Sequence, residues 1–563
     1  METRDGVILR SDIYRPDDNG KYPAIMTRTP YNKIGVADQD YGFMKIVQAG
    51  YAVVIQDTRG RYASEGIYDG GDFFLSQESP DGYDAVEWVA ARPWCNGDVG
   101  TSGGSYMSRV QYLLAMERPP HLKAMAPSIP SDTPCSQATV WYGVVPLIMG
   151  ASSSATVGMD IAEKLKSQGK DVTAMFEALE QIVSSPLEVL SYLPLKEIPQ
   201  FNFEGLKEVW NNRGMAPLPF QEHPEKFFWD YTRIEVPCLH QSGWYDFNEK
   251  GAFANYRSLK EKGGSGRCRS SQHLLVGPWV HGQFADVLGG INFGGQASGS
   301  GARLSEYTIA FFDKYLKGKE VDLPAVRYFV MGKNRWETAS DWPLPQTKWQ
   351  RFFLHSRGHA NTAGGDGWLH TDQPVAEPPD RYIYDPLWPV PTTGGAWAHG
   401  NGFVPGPQDQ SHIEKRRDVL CYTTPELKND LEITGPLELH LFASTTSIDT
   451  DFTAKLVDVY PDGRCYNIAD GIIRGRFRKS TFSPALLTPG EVTEFVINLI
   501  GTSCLFRKGH RLRIDVASSN FPAFDRNMNT GNPSGEDASG IPVMQTVFHD
   551  GEYASYIDLP VIE

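Results

Sequence analysis

The hydrophobic period of this chain switches at a serine. Residues 99–102 read as a short strand, whereas from Tyr106 onward Met107, Val110, Leu113 and Leu114 share one helical face until Pro119-Pro120 stops it. Ser105 stands at the junction, directly after Gly103-Gly104. A strand that turns sharply into a helix around a serine is the setting a nucleophile elbow needs, and it commits this stretch to a sheet with a covering helix. Neighbouring segments agree. Residues 51–55 form a continuous apolar run, as in a strand buried on both faces, and residues 7–9 and 24–26 read as earlier strands. Ala85, Val86, Val89 and Ala90 have helical spacing ahead of Arg92-Pro93.

Further along, residues 238–242, 250–259 and 273–276 form a strand–helix–strand unit. Asp246 and His281 each fall just past the end of a strand, where open α/β sheets carry their chemistry. Between the two α/β parts, segments such as 161–166 and 172–183 are helical, which reads as an inserted cap. Later the period becomes two: Leu437, Leu439 and Leu441 alternate with Glu438 and His440, and Leu512, Ile514 and Val516 with Arg513 and Asp515. Such strands, separated by turns like Pro461-Asp462-Gly463, imply an antiparallel sandwich. The expected fold class is α/β with a second, all-β unit. A first sheet part covers 1–135, a helical cap 136–234, a second sheet part 235–344 and a β-sandwich 345–563.

A formal charge of −15 over 563 residues leaves no basic face to dominate phosphate binding, so no nucleic-acid partner is expected. No run of about 18 apolar residues is present, so no membrane span is expected. Seven cysteines without close spacing suit a reduced compartment better than a disulfide frame; with no apolar signal core after Met1, a cytoplasmic address is expected. There is no His-Glu-x-x-His, no Cys-x-x-Cys and no phosphate loop, so neither metal nor organic cofactor is expected.

Ser105, Asp246 and His281 follow one another along the chain in the order used by α/β-hydrolases. A hydroxyl is a poor nucleophile unless an imidazole takes its proton, and a carboxylate fixes that imidazole's tautomer. Singly, each has a plainer role: a buried serine, a helix-capping aspartate, a hydrogen-bonded core histidine. His240 and His273, inside strands, keep that last role. The full G-x-S-x-G pattern is not met, because Met107 holds its final position. Together the three residues point to nucleophilic acyl transfer. The oxyanion would be met by the Tyr106 N–H and by the phenol of Tyr31, in the loop 29–33 after an early strand.

Several words of the chain carry a family likeness. They include Pro30-Tyr31-Asn32-Lys33, Asp57-Thr58-Arg59-Gly60 with Ser64-Glu65-Gly66, Gly103-Gly104-Ser105-Tyr106, Gly243-Trp244-Tyr245-Asp246 and Gly277-Pro278-Trp279 with His281. The sandwich adds Asp449-Thr450-Asp451-Phe452, Asn467-Ile468-Ala469-Asp470-Gly471 and Ser518-Ser519-Asn520-Phe521-Pro522. In these the chain resembles the cocaine esterase / X-prolyl dipeptidyl-peptidase (CocE/NonD) family of α/β-hydrolases. The resemblance implies a hydrolase domain, a helical cap and a C-terminal jelly roll. It implies Ser105, Asp246 and His281 as catalytic residues, and Tyr31 with the Tyr106 amide as the oxyanion hole. Trp141, in Trp141-Tyr142-Gly143, resembles a segment over the acyl pocket, and Trp244 and Phe247 beside Asp246 are further candidates for its wall.

Two departures from the family pattern matter. Ser108 replaces a glycine that usually follows the serine, a small-for-small exchange. Asn248 and Glu249 follow the aspartate where relatives acting on α-amino acyl groups carry an acid cluster, so at most one such acid is present. Glu249 is a further candidate pocket residue, though a place at the surface is expected for it. The expected substrate is therefore a small-molecule ester or amide. An acyltransferase, an aminoacyl ester hydrolase or peptidase, and a ligand-binding protein with an idle site are the alternatives. The sandwich could serve homo-oligomer assembly.

Overall fold

Parallel strands set the frame of the computed structural model, which describes residues 1–39, 42–68, 76–133, 143–211, 228–397 and 403–563. The first sheet holds β1 Ser11–Tyr14, β2 Tyr22–Thr29, β3 Ala52–Asp57, β4 Cys95–Gly104, β5 Leu122–Ser128, β6 Cys238–Tyr245 and β7 Gln272–Val280. After a short ribbon, β8 Val287–Leu288 with β9 Ile291–Asn292, it is completed by β10 Val326–Val330 and β11 Arg335–Ala339. The order is β1-β3-β2-β4-β5-β6-β7-β10-β11. Only the outermost strands, β1 and β11, run antiparallel to their neighbours.

Parallel neighbours need long crossovers, and helices supply them. These are α1 Lys33–Gln39, α2 Phe43–Gln48, α3 Glu78–Ala90 and α4 Tyr106–Met116. Because strand side chains alternate, Ala24 and Met26 of β2 pack with Val86, Val110 and Leu114 on one face, while Ile25 packs with Ile55, Phe311 and Phe312 on the other. The strand expected at residues 7–9 is displaced. Val7 and Leu9 close a tight turn back to Thr3 and Met1 by main-chain hydrogen bonds, and the edge strand forms later, as β1.

Between β5 and β6 the chain leaves the sheet and builds α5 Leu147–Ser167, α6 Thr173–Ser184, α7 Pro186–Leu190 and α8 Leu206–Trp210. Their core, with Leu147, Leu179, Phe201 and Trp210, continues into Trp397, Phe521 and Phe524 of the C-terminal part. The sheet then resumes, with α9 Glu249–Lys262 and α10 Gly266–Ser270 between β6 and β7, and α11 Leu304–Leu316 before β10.

The C-terminal part is an 11-stranded arrangement, antiparallel except for one pairing between Trp368–His370 and Leu420–Thr423. Leu437, Leu439 and Leu441 are fully buried, as their alternation predicts. Arg513 and Asp515 depart from the expected exposed face: they too are buried, because Arg511–Ala517 is an inner strand whose second face is covered by residues 410–415. The three parts are tied by polar contacts. Tyr245 Oη donates to Asn467 O at 3.1 Å, and Asp525 accepts the Val145 N–H at 2.9 Å while paired with Arg474. Six cysteines are buried and free; Cys135 lies outside the described residues. Among the described residues no helix is long and apolar enough to cross a membrane.

His240 and His273 are core histidines, as their strands suggested. His240 is fully buried in β6, with Nδ1 2.9 Å from Tyr112 Oη and Nε2 3.0 Å from Gln272 Oε1. Burial pushes its pKa down to about 4. The unfolded chain takes up the imidazole proton below about 6.5 and the folded chain does not, so stability is lost as pH falls from there toward 4, by about 3 kcal/mol in all. Urea unfolding at pH 7 and pH 4.5 tests this: the loss on acidification should be visibly smaller in His240→Gln. An equal loss in both proteins would show that His240 is not the group responsible.

Candidate active site

Three side chains meet at the C-terminal edge of the first sheet. Each directly follows the last residue of a strand: Ser105 follows β4, Asp246 follows β6 and His281 follows β7. Ser105 has φ 58° and ψ −121°, a backbone conformation that non-glycine residues adopt at a cost of about 1–3 kcal/mol. Hydrogen bonds hold it there. Its N–H donates to Ser128 O at 3.0 Å, and its carbonyl accepts the amides of Ser108 and Arg109 at 3.0 and 3.2 Å. The turn also demands Gly103, whose φ is +131° and whose Cβ would stand 2.7 Å from Met107 Cβ. Ser108, in place of the usual glycine, is buried and donates its hydroxyl to Ser105 O.

His281 spans the other two. Its Nε2 lies 3.0 Å from Ser105 Oγ and its Nδ1 3.0 Å from Asp246 Oδ2. Asp246 is fully buried, and its Oδ1 also accepts the Asn248 N–H at 2.6 Å. Asn248 is itself anchored, donating Nδ2 to Ile129 O at 3.0 Å. The Phe247 ring stacks on the imidazole at 4.1 Å between centroids, and the His281 N–H donates to Trp397 O at 3.3 Å. Carboxylate, imidazole and hydroxyl thus form one continuous hydrogen-bonded line, the arrangement that moves a proton off a serine.

Beside the serine stand the two tyrosines expected to meet an oxyanion. Tyr106 opens α4, so its amide follows the serine at the position from which an elbow supplies a donor. Its phenol reaches the other way, donating to the buried Glu78 at 2.8 Å, and Glu78 is paired with Arg28 at 2.9 Å. Tyr31 is 38% exposed, and its ring lies edge-on to that of Tyr106 at 6.4 Å. Among the described residues no three His, Cys, Asp or Glu side chains converge as a metal ion would require.

The expected pocket wall divides. Phe247 touches His281, whereas Trp244 does not line the site. It packs against Phe253 and Trp342 in the core shared with the sandwich and donates Nε1 to Phe329 O at 2.7 Å. Tyr245, the next residue, packs in the same core, and the β6–β7 register shifts between Gly243 and Tyr245, so simple alternation does not hold at this end of β6. Glu249, expected at the surface, is fully buried: Oε2 accepts the Gly501 N–H at 3.0 Å across the contact with the sandwich. Burial raises its pKa well above the carboxylate range. Trp141 lies outside the described residues. Sequence reasoning missed Asn248 as the support of Asp246, and also Arg61, one position past the quoted Asp57-Thr58-Arg59-Gly60, which joins the Tyr31 loop to the cap.

Comparison with known proteins bears on this geometry. Residues 5–283 match the X-Pro dipeptidyl-peptidase (S15 family) profile, and residues 319–558 that of the X-Pro dipeptidyl-peptidase C-terminal non-catalytic domain. A cocaine esterase from Rhodococcus sp. (strain MB1 Bresler) is 36% identical over an alignment covering 100% of this chain and 97% of the relative. Among solved structures, an aminopeptidase from the marine sediment archaeon Thaumarchaeota archaeon superposes with a TM-score of 0.75 at 25% identity, covering 100% of this chain and 95% of the other. An α-amino acid ester hydrolase shares the fold, with a TM-score of 0.76 at 24% identity and the same coverage. With likeness running from end to end, the chain belongs to the X-Pro dipeptidyl-peptidase (S15) family of hydrolases.

Proposed function

We propose that this protein cleaves esters of small molecules by acyl transfer through Ser105, as a serine esterase within its family. The observation that carries the reading is the unbroken line from Asp246 through His281 to Ser105, with both ring nitrogens engaged at 3.0 Å. Asp246 holds the imidazole with Nδ1 protonated, which leaves Nε2 to accept the Ser105 proton as Oγ attacks the carbonyl carbon. Negative charge then gathers on the former carbonyl oxygen, where the Tyr106 amide and the Tyr31 phenol donate to it. The imidazolium returns its proton to the leaving alcohol as the C–O bond breaks. Water, deprotonated by the same nitrogen, attacks the acyl-enzyme and releases the acid. In this reading residues 1–135 and 235–344 form the catalytic domain, 136–234 the cap that covers it, and 345–563 the sandwich that braces both.

Ester cleavage is favoured over amino-acyl work by the state of Glu249. An ammonium group needs an ionised carboxylate beside it, whereas burial disfavours the charged form of this carboxyl, and one oxygen is already engaged by Gly501. Among the relatives, one is named a cocaine esterase, another an α-amino acid ester hydrolase and a third an aminopeptidase.

A fluorophosphonate probe should form one adduct, on Ser105, and labelling that survives Ser105→Ala would sink the mechanism. Asp246→Asn should lower kcat by about 10,000-fold, since the imidazole is then held in the wrong tautomer. Tyr31→Phe should lower kcat roughly 100- to 1000-fold, with KM little changed, if its phenol meets the oxyanion. On a panel of p-nitrophenyl esters and aminoacyl anilides, the esters should turn over faster. Faster anilide turnover that collapses in Glu249→Gln would reverse the substrate preference.

A further inference from the structure

The Pro30 carbonyl and the Tyr31 amide belong to one peptide plane, so whatever grips that carbonyl also aims the residue after it. The grip is Arg61, on the loop that follows β3. Its side chain is 1% exposed, and its Nε donates to Pro30 O at 2.9 Å. On its other side Nη1 lies 2.9 Å from Asp160 Oδ2 and 3.3 Å from Val157 O, both on cap helix α5. The guanidinium also covers the Tyr62 and Tyr68 rings at 5.0 and 4.9 Å, and the Tyr68 ring is 6.4 Å from that of Tyr106. Asp160, 4% exposed, takes a second cation, Lys164, at 2.9 Å, and Lys164 reaches back to the Gly60 carbonyl. Gly60 has φ +68°, and a Cβ there would stand 2.0 Å from the Tyr68 nitrogen, so backbone contact sets the course of this loop.

One buried cation therefore joins the Tyr31 peptide to the cap. Its counter-ion comes from a different structural unit, so the charge is matched only while α5 is seated. We propose that Arg61 is a positioning residue for the oxyanion donor Tyr31, and that Asp160 makes this positioning conditional on a docked cap. The inference rests on the reading of Tyr31 as an oxyanion donor. Arg61 touches no reacting atom; it acts through the Pro30–Tyr31 peptide. A donor displaced by about 1 Å costs on the order of 100-fold in rate, which sets the size of the effect.

The test is a double-mutant cycle in the full chain, with p-nitrophenyl ester turnover and fluorophosphonate titration of Ser105 as paired readouts. Arg61→Gln and Asp160→Asn should each lower kcat by about 10- to 100-fold, with KM within about threefold of the parent. Arg61→Gln combined with Tyr31→Phe should be no slower than Tyr31→Phe alone, within about twofold, because the group that Arg61 aims is already gone. Multiplying effects in that pair, or an unchanged kcat in Arg61→Gln, would overturn the proposal. Should Arg61→Gln not fold, the Asp160→Asn and Tyr31→Phe pair decides the matter by the same criterion. An unlabelled Ser105 in the parent protein would instead defeat the acyl-transfer reading, so the two failures are told apart.

Discussion

The hydrogen-bonded line from Asp246 to Ser105 requires both nitrogens of the His281 imidazole to be engaged at once, Nδ1 by a buried carboxylate and Nε2 by a hydroxyl. The fold meets this demand by placing the three groups on the ends of β4, β6 and β7, parallel strands within one four-strand stretch of the sheet. Strand ends in a parallel sheet point the same way, so residues 176 positions apart in the chain arrive at one edge. The strained backbone at Ser105 follows from the same need. A residue in ordinary strand geometry would aim its side chain into a packed layer, whereas this turn lifts the hydroxyl above the edge.

Around that edge, buried charge pairs join parts of the chain that the core alone would leave free to slide. Arg28–Glu78 sits beneath Tyr106, Arg61–Asp160 joins sheet to cap, and Arg474 with Asp451 and Asp525 joins cap to sandwich through Val145. Such pairs repay little of their desolvation cost as stability, because both charges leave water. What they supply is direction, since a guanidinium fork is satisfied by one geometry and a hydrophobic contact by many. The sandwich shares in this. It meets Glu249 with a backbone amide, and its Trp397 carbonyl accepts the His281 amide.

Much of this was legible in residue order. The change of period at Ser105, the apolar run before Asp57 and the alternation around Leu439 each mark a local hydrogen-bonding pattern, and local patterns leave periodic traces. Asp246 and His281 were legible because a strand end can be counted to. The misreadings are of another kind. Trp244 is only two residues from Asp246, yet with Tyr245 it packs into the core shared with the sandwich. Glu249 has the composition of a surface residue, and only the arrival of Gly501 from 252 residues away encloses it. Arg61 shows the same limit: nothing near it in the chain predicts Asp160.

By itself the sequence determined the kinds of element, their order and the three side chains that stand at strand ends, because hydrophobic period, turn chemistry and residue type are properties of short stretches. Tertiary structure alone decided which ionisable groups are buried and with what partners, which face each aromatic ring meets, and how the loop bearing Tyr31 is aimed. Those outcomes depend on the dielectric and the partners that distant segments bring, and no local pattern encodes them.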